Sequence, residues 1–462
     1  LRPVYTPVSY ADTWALARHF AGWPHRLCLD GTAPYLERPH YSYLTADPVR
    51  WLAWRVGDPG DPFAILADWL TEFPATPFRA KLPPFQGGIA GLFGYGLSRH
   101  LEHLPAPRGT DLLGPDVAVG LYDWVLALDH QQRSAYLIST GIPDLGRAGQ
   151  RRAVQRTRQV LAALAASPPP EPQLLGPVVE PDVGFPLPGW PGVRSNFTPV
   201  GFQAAVARAV EYIHAGDCFQ VNLAQRLLAP LSEPPGVLFA RLRERNPAPF
   251  AAYFDLGEQV LLSASPERFV AVRAGQVETR PIKGTRPRGP TPAEDAALLA
   301  ELQASGKDRA ENVMIVDLLR NDLGRVCAYG SVQVPVVCQA ETYRFVHHLV
   351  SEVRGQLRPG LTALDLLRAS LPGGSVTGAP KVRAMQIIAE LEPSARGAYC
   401  GSLGYIGLDG TADTNILIRT FTATPGWVQF PVGGGIVAES NPTTEYAETL
   451  HKAAGLLASL RA

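Results

Sequence analysis

Val260-Leu261-Leu262-Ser263-Ala264-Ser265-Pro266-Glu267-Arg268-Phe269-Val270-Ala271-Val272-Arg273-Ala274-Gly275-Gln276-Val277-Glu278-Thr279-Arg280-Pro281-Ile282-Lys283-Gly284-Thr285 decides the fold. Val260 to Ala264 and Phe269 to Arg273 are short apolar runs that read as strands. Ala274-Gly275 turns the chain, and Val277 to Ile282 returns as a third strand. Asp409-Gly410 repeats the pattern, as a hairpin turn between Leu403–Leu408 and Ile416–Phe421. Another strand places Phe219, Val221 and Leu223 on one side and Gln220 and Asn222 on the other. Helical spacing is expected over 202–215, where Gly216 ends it, and over 292–304, 307–320, 362–369, 380–391 and 442–459. Hairpins interleaved with helices predict an α+β sandwich of mainly antiparallel sheets with helices outside, not a parallel βαβ sheet.

The chain has 462 residues and zero formal net charge, with ordinary apolar and charged fractions. That gives core enough for two or three domains and points to neither nucleic acid nor an anionic membrane. No apolar run is long enough to span a bilayer. Five cysteines are scattered without a CxxC pair, so neither a zinc knuckle nor a disulfide framework is indicated. A reducing cytoplasm is the expected location. Residues 166–195 are proline-rich and read as a linker or surface strap between an N-terminal part, 1–165, and a C-terminal part, 196–462. The glycines of Gly87-Gly88-Ile89-Ala90-Gly91 suggest close backbone approach, not a helix interior.

Lysine is scarce: Lys81, Lys283, Lys307, Lys381 and Lys452 are all there are. Arginine keeps its proton at working pH, whereas a desolvated lysine gives it up and becomes a nucleophile. Lys283, between a proline turn and Gly284-Thr285, reads as such a nucleophile or as a solvated turn lysine. Glu267 sits at a strand break near the hairpin that delivers Lys283; beside a lysine, a carboxyl of raised pKa is a general acid. Asp308 with Glu311, and Glu445 with Glu448, are acid pairs three residues apart on helical faces. Each pair alone reads as a solvated face. The apolar run around Val313 to Leu319 argues that the first helix is buried, and four buried acids call for a cation. Oxygen ligands without His or Cys suit Mg²⁺. Gly373 to Lys381 fails the phosphate-loop pattern, so ATP binding is not expected. Its Thr377 hydroxyl and Lys381, at a helix N-terminus, favour an anion such as a carboxylate. Gly433, Gly434 and Gly435 read as an amide-lined approach to a small anion or as a tight turn. Arg419 reads as a carboxylate clamp or a structural ion pair. Of His347 and His348, one points inward.

Together these segments resemble the chorismate-utilising enzymes, which include anthranilate synthases, aminodeoxychorismate synthases, isochorismate synthases and salicylate synthases. The resemblance runs over about 196–458. It rests on Gly216 to Leu223, Ser263 to Phe269, Pro281 to Gly289, Asp308 to Asn312, Asp317 to Asp322, Thr377 to Lys381 and Gly433 to Gly435, all in the family's order. Gly87 to Tyr95 and Tyr122-Asp123 resemble the family's first domain more weakly. The implied fold is the anthranilate-synthase-component-I-like sandwich of two large sheets.

Two positions choose among the members. Water-using members carry a lysine base where this chain has Gln220, so the resemblance implies attack by ammonia. Anthranilate synthases usually carry alanine where this chain has Lys283, and aminodeoxychorismate synthases carry lysine. The implied reaction is amination of chorismate to 4-amino-4-deoxychorismate, for p-aminobenzoate and folate, with Lys283 as covalent nucleophile and Glu267 as acid. Anthranilate formation is the nearest rival, and a silent tryptophan-binding scaffold a more distant one. The resemblance further implies Glu311 and Glu448 as Mg²⁺ ligands, with Asp308 and Glu445 as helpers. It implies Gln220, Thr285, His348, Thr377, Lys381, Tyr399, Arg419 and Gly433 to Gly435 as substrate contacts, and a separate glutamine amidotransferase subunit as ammonia source. Tyr41, Ser42, Tyr43, Leu44, Pro249, Phe250 and Ala251 resemble the family's L-tryptophan pocket, where Asp30 lies near the position of a frequent serine.

Overall fold

The computed structural model describes residues 2–32, 41–73, 79, 81–182, 184–342 and 346–461. Two antiparallel sheets dominate, one of thirteen strands and one of ten. The middle of the first runs Leu27–Asp30, Phe250–Asp255, Val260–Ser265, Thr420–Thr424, Trp427–Ile436 and Gln220–Pro230. The second runs from Ile282–Pro287 through Val346–Gln356, Gln276–Thr279, Arg268–Arg273, Ala412–Ile416, Ser402–Gly407 and Gly88–Phe93 to Val117–Tyr122 and Arg50–Trp54. Their facing sides share one core: Leu27, Tyr43, Phe254 and Leu261 from the first meet Leu92, Tyr122, Leu403 and Tyr405 from the second. Burial of such side chains contributes roughly 1.5–3 kcal/mol each.

In each sheet the strands from before the proline-rich stretch form one block and those from after it another, and the two blocks are paired at one junction. Leu27–Asp30 pairs with Phe250–Asp255, and Gly88–Phe93 pairs with Ser402–Gly407. Gly88 and Gly91 are needed there, because a Cβ would stand 2.4 Å from the Ile406 carbonyl oxygen and 2.1 Å from that of Ala118. Most of 166–195 lies on the surface. It is tied down by Glu171, whose carboxylate pairs with buried Arg26 at 2.6 Å.

The expected helices appear as Pro199–His214, Pro292–Ala304, Gly306–Gly324, Ala363–Ser370, Lys381–Leu391 and Pro442–Ser459. Thr198, Thr291, Ser305 and Asn441 cap four of them through side-chain oxygens.

Three strand expectations need correction. The hairpin at Asp409-Gly410 returns as Ala412–Ile416, not 416–421. Residues 417–419 instead carry the chain from the second sheet into the first, with Arg419 at φ 51°. Val277 to Ile282 is not one strand: Arg280-Pro281 separates Gln276–Thr279 from Ile282–Pro287, since proline brings no N–H to the ladder. Phe219 does not share a buried face with Val221 and Leu223; it precedes the strand and is 72% exposed.

Candidate active site

The chain switches sheets twice at one corner. Pro266-Glu267 leads from the first sheet to the second, and Leu417 to Arg419 leads back. The two crossings are laced together, because Ile416 N–H donates to the Glu267 carbonyl and Ala264 N–H to that of Arg419, both at 3.0 Å. Glu267 is thereby buried, and the Ser375 hydroxyl donates to its Oε1 at 2.9 Å. Burial pushes its pKa up to about 7, although Ser375, Lys283 and the Ile282 N–H each draw it down.

Lys283 enters from the edge strand Ile282–Pro287. A register shift between Ile282 and Thr285 and a φ of 80° at Gly284 bend that strand locally. Gly284 lets the strand lie against the helix Gly306–Gly324; a Cβ there would meet Leu302 Cδ1 at 2.9 Å and Asp308 Cβ at 3.0 Å. The Lys283 amine has its pKa lowered, chiefly by burial; Glu311, Glu267 and Glu448 pull it up, and Lys452 pushes it down. A lysine held this way is a better nucleophile at neutral pH than a solvated one.

The two acid-bearing helices converge on this amine. Glu311 is raised by burial and by the charges of Asp308 and Glu448, against the pull of Lys283 and Lys307. Glu445, which accepts from Ser440 Oγ at 2.6 Å, is raised by burial and by Glu448. Burial also pushes on Glu448, but Lys452, 2.7 Å away, with Lys307 and Lys283, brings it below the ordinary carboxylate value. Asp308 is held by Arg286 at 3.1 Å. Among the described residues no three His, Cys, Asp or Glu side chains are gathered as a metal shell. Lys452 on Glu448 and Lys307, 4.0 Å from Glu311, join Lys283 and Arg286 as cations near these acids. The donor chemistry, carboxylate oxygens whose charges repel one another, fits a hard divalent cation.

Gly433 to Gly435 form neither a turn nor a loop: they lie in the strand Trp427–Ile436, paired with Ala224, Leu223 and Asn222. A Cβ on Gly434 would sit 3.4 Å from Lys452 Nζ and 3.5 Å from both Glu445 Oε2 and Glu448 Oε1, so this glycine faces the acid cluster. A Cβ on Gly435 would stand 2.5 Å from Gln220 Nε2. Gln220 is fully buried, and among the described residues neither its Nε2 nor its Oε1 has a hydrogen-bond partner. Two unpaired polar atoms on one buried amide are costly, roughly 1–3 kcal/mol, unless a ligand satisfies them. Gly435→Ala, by displacing this amide, is expected to cut kcat/KM for ammonium about tenfold. Steady-state kinetics at saturating chorismate checks it; unchanged ammonium kinetics would separate Gln220 from the nucleophile.

The other expected contacts divide into two sets. His348 bonds Thr285 Oγ1 through Nδ1 at 2.9 Å and lines a cavity of about 870 Å³. Burial and the charge of Arg419 push its pKa down to about 4, so it is neutral at working pH. His347 turns the other way, to Thr342 and Asp295, both at 2.9 Å. Arg419 lines the same cavity and makes no salt bridge within 4.0 Å among the described residues. By contrast, Thr377 Oγ1 is turned onto the Gly373 carbonyl at 3.1 Å. Tyr399 is buried beside Arg396. Lys381 Nζ is engaged by Asp322 at 2.6 Å and by the Ser370 carbonyl at 2.8 Å. Lys381→Met should therefore cost stability, about 3 kcal/mol, because it strands a buried carboxylate. Thermal denaturation reads this; a raised chorismate KM with unchanged melting would make Lys381 a substrate contact instead.

Asp30, Tyr41, Tyr43, Pro249, Phe250 and Ala251 line the same cavity. Ser42 and Leu44 alternate away from that wall, Leu44 into the core. Asp30 accepts from Arg243 Nε at 2.8 Å, Thr32 Oγ1 at 2.7 Å and Ser42 Oγ at 3.2 Å, so its carboxylate is already satisfied.

Two residues of the site escaped the sequence reading. Lys452 lies four residues after Glu448 on one helix, a spacing that signals a shared face. It contacts Glu448 and the Gly433 carbonyl, the latter at 3.0 Å. Ser375, the partner of Glu267, sits in a glycine-rich segment whose hydroxyl carries no local signal.

A half-buried lysine with a desolvated amine and a buried carboxyl, beside an acid cluster and a glycine strand, are groups suited to chemistry on a small anion. The chain belongs to the chorismate binding enzyme family, whose model matches residues 56–458. It is 45% identical over 401 residues to aminodeoxychorismate synthase component 1 of Escherichia coli K12, covering 87% of this chain and 83% of that protein. It is 43% identical to anthranilate synthase component 1 of Streptomyces coelicolor, covering 87% and 78% respectively. The crystal structure of anthranilate synthase component I from Streptococcus pneumoniae superposes with a TM-score of 0.78 at 31% identity, over 93% of this chain and 95% of that one.

Proposed function

We propose that this protein is the chorismate-aminating component of an aminodeoxychorismate synthase. It converts chorismate and ammonia into 4-amino-4-deoxychorismate and water, upstream of p-aminobenzoate and folate. The observation that carries the reading is the desolvated Lys283 amine placed electrostatically between Glu267 and Glu311. Lys283 Nζ adds to C2 of the ring, both ring double bonds shift by one position, and the C4–O bond breaks. Glu267, protonated, gives its proton to the departing hydroxyl, which leaves as water. Ammonia then bonds to C4, both double bonds return, the C2–N bond to Lys283 breaks, freeing the amine, and Glu267 takes back a proton from the new C4 ammonium. Splitting one displacement into two steps is the gain of covalent catalysis. Ammonia needs no base before attack, and the unpaired Gln220 amide supports a neutral nucleophile nearby.

Glu311 and Glu448, with Asp308 and Glu445 behind them, would hold a Mg²⁺ ion, which when bound offsets their repulsion and attracts a carboxylate. Arg419 and neutral His348, which line the cavity that Ile282 beside Lys283 also lines, would contact the ring. The relatives' designation as component 1 supports a partner component, which we take to be a glutamine amidotransferase delivering ammonia. All five cysteines are free, which supports a reducing compartment, the cytoplasm. Among the described residues no helix is long and apolar enough to cross a membrane.

The second reading, anthranilate synthase component I, is favoured by relatives of similar identity. The product from chorismate and ammonium decides: retention of the pyruvate ether is expected, and release of pyruvate with a fluorescent aromatic amine would replace the proposal.

A further inference from the structure

The strand that carries Gln220 has a gap along one edge. Its start pairs with Gly378–Ala379, and residues 227 and 228 pair with Arg194–Ser195. Between these short strands, side chains complete the ladder. Arg396 Nη2 donates to the Asn222 carbonyl at 2.7 Å, and Glu392 Oε1 accepts from Ala224 N–H at 2.9 Å. Arg396 and Glu392 are also bonded to each other twice, Nε to Oε2 at 2.9 Å and Nη2 to Oε1 at 2.6 Å, with side chains 2% and 6% exposed. The remaining arm, Nη1, donates to the Val376 carbonyl at 3.0 Å. Val376 follows Ser375, whose hydroxyl holds Glu267. One buried guanidinium thus bridges the backbone beside Gln220 and the backbone beside the acid's partner.

We propose that Arg396, locked by Glu392, is a positioning residue that sets the distance between Gln220 and the Ser375–Glu267 pair. This rests on the reading that Gln220 and Glu267 serve the same substrate. A buried ion pair is a poor stability device, since apolar replacements are often as stable or more so. Its value here is geometric: a planar fork reaches two carbonyls and a carboxylate at fixed angles, which a single ammonium does not do.

Two variants test it, Arg396→Lys and the double variant Glu392→Met/Arg396→Met, whose apolar pair leaves no stranded charge. With chorismate and ammonium, kcat is expected to fall at least about tenfold while chorismate KM moves less than about threefold, because geometry and not ground-state binding is lost. The alkaline limb of the kcat–pH profile is expected to move as Ser375 loosens from Glu267. Wild-type kcat and an unchanged pH profile in either folded variant would overturn the proposal, whatever the melting temperature. Failure of both variants to fold would assign the pair to folding and overturn it as well. The wild-type product, identified separately, tests the reaction reading independently of these ratios.

Discussion

Lys283→Ala lowers turnover of chorismate with saturating ammonium at least about 100-fold, roughly 3 kcal/mol of barrier, with the fold intact. Both halves of this expectation come from the surroundings of the amine. Lys283 lies on a bulged edge strand, and its amine makes no salt bridge within 4.0 Å among the described residues. Removing it therefore breaks no ladder bond and no ion pair. What is lost is a nucleophile whose ammonium form burial disfavours. The variant also loses a positive charge that now offsets Glu311, Glu267 and Glu448, so added Mg²⁺ should restore stability more than activity. Activity assays and melting curves on one preparation check both halves. Wild-type turnover at saturating ammonium would mean that ammonia attacks chorismate directly.

Glu267→Gln is expected to lower kcat about 10²- to 10⁴-fold, the usual worth of a positioned general acid. The pH dependence carries a sign. The acid form is the active one, and the folded pKa is raised to about 7, so wild-type kcat should fall as pH rises through about 7. Stability follows the same sign. A carboxyl whose folded pKa lies above its unfolded value stabilises below the unfolded value, and that contribution is lost as pH climbs to about 7. The glutamine variant has no such loss. It should match the wild type near pH 4, below the unfolded value, and exceed it at pH 8 by on the order of 3 kcal/mol. Urea denaturation at the two pH values reads the difference. Equal stabilities at both would mean that Glu267 is not forced to ionise in a desolvated site.

The helices of this fold are legible in the sequence because their signals are local. Thr291 before Pro292, and Asn441 before Pro442, announce helix starts that the structure reproduces to the residue. The acid pairs are legible as pairs, for the three-residue spacing is a property of one helix. That Glu311 and Glu448 would face the same lysine is not, because two helices and an edge strand of different regions must meet. The sheet-switching corner was missed for a physical reason. Ile416-Leu417-Ile418 is apolar enough for a strand, yet the chain there leaves one sheet for the other, and only φ 51° at Arg419 marks the turn. Gly433 to Gly435 read in the sequence as an amide-lined approach to an anion or as a tight turn, since glycine weakens strands. Their place in a strand is explained by Ala224, Gln220 and the acid cluster, which leave little space for side chains. Lys381 was read as an anion contact from its position at a helix start; tertiary structure gives it Asp322 instead.

The central claim is a covalent bond between Lys283 and the substrate ring. Mass spectrometry of the wild-type protein after incubation with chorismate in the absence of ammonia tests it most directly. The expected result is an adduct of chorismate less one water on the peptide containing Lys283, which disappears when ammonium is added. An unmodified Lys283 peptide, in a sample that turns over once ammonium is supplied, would contradict the account.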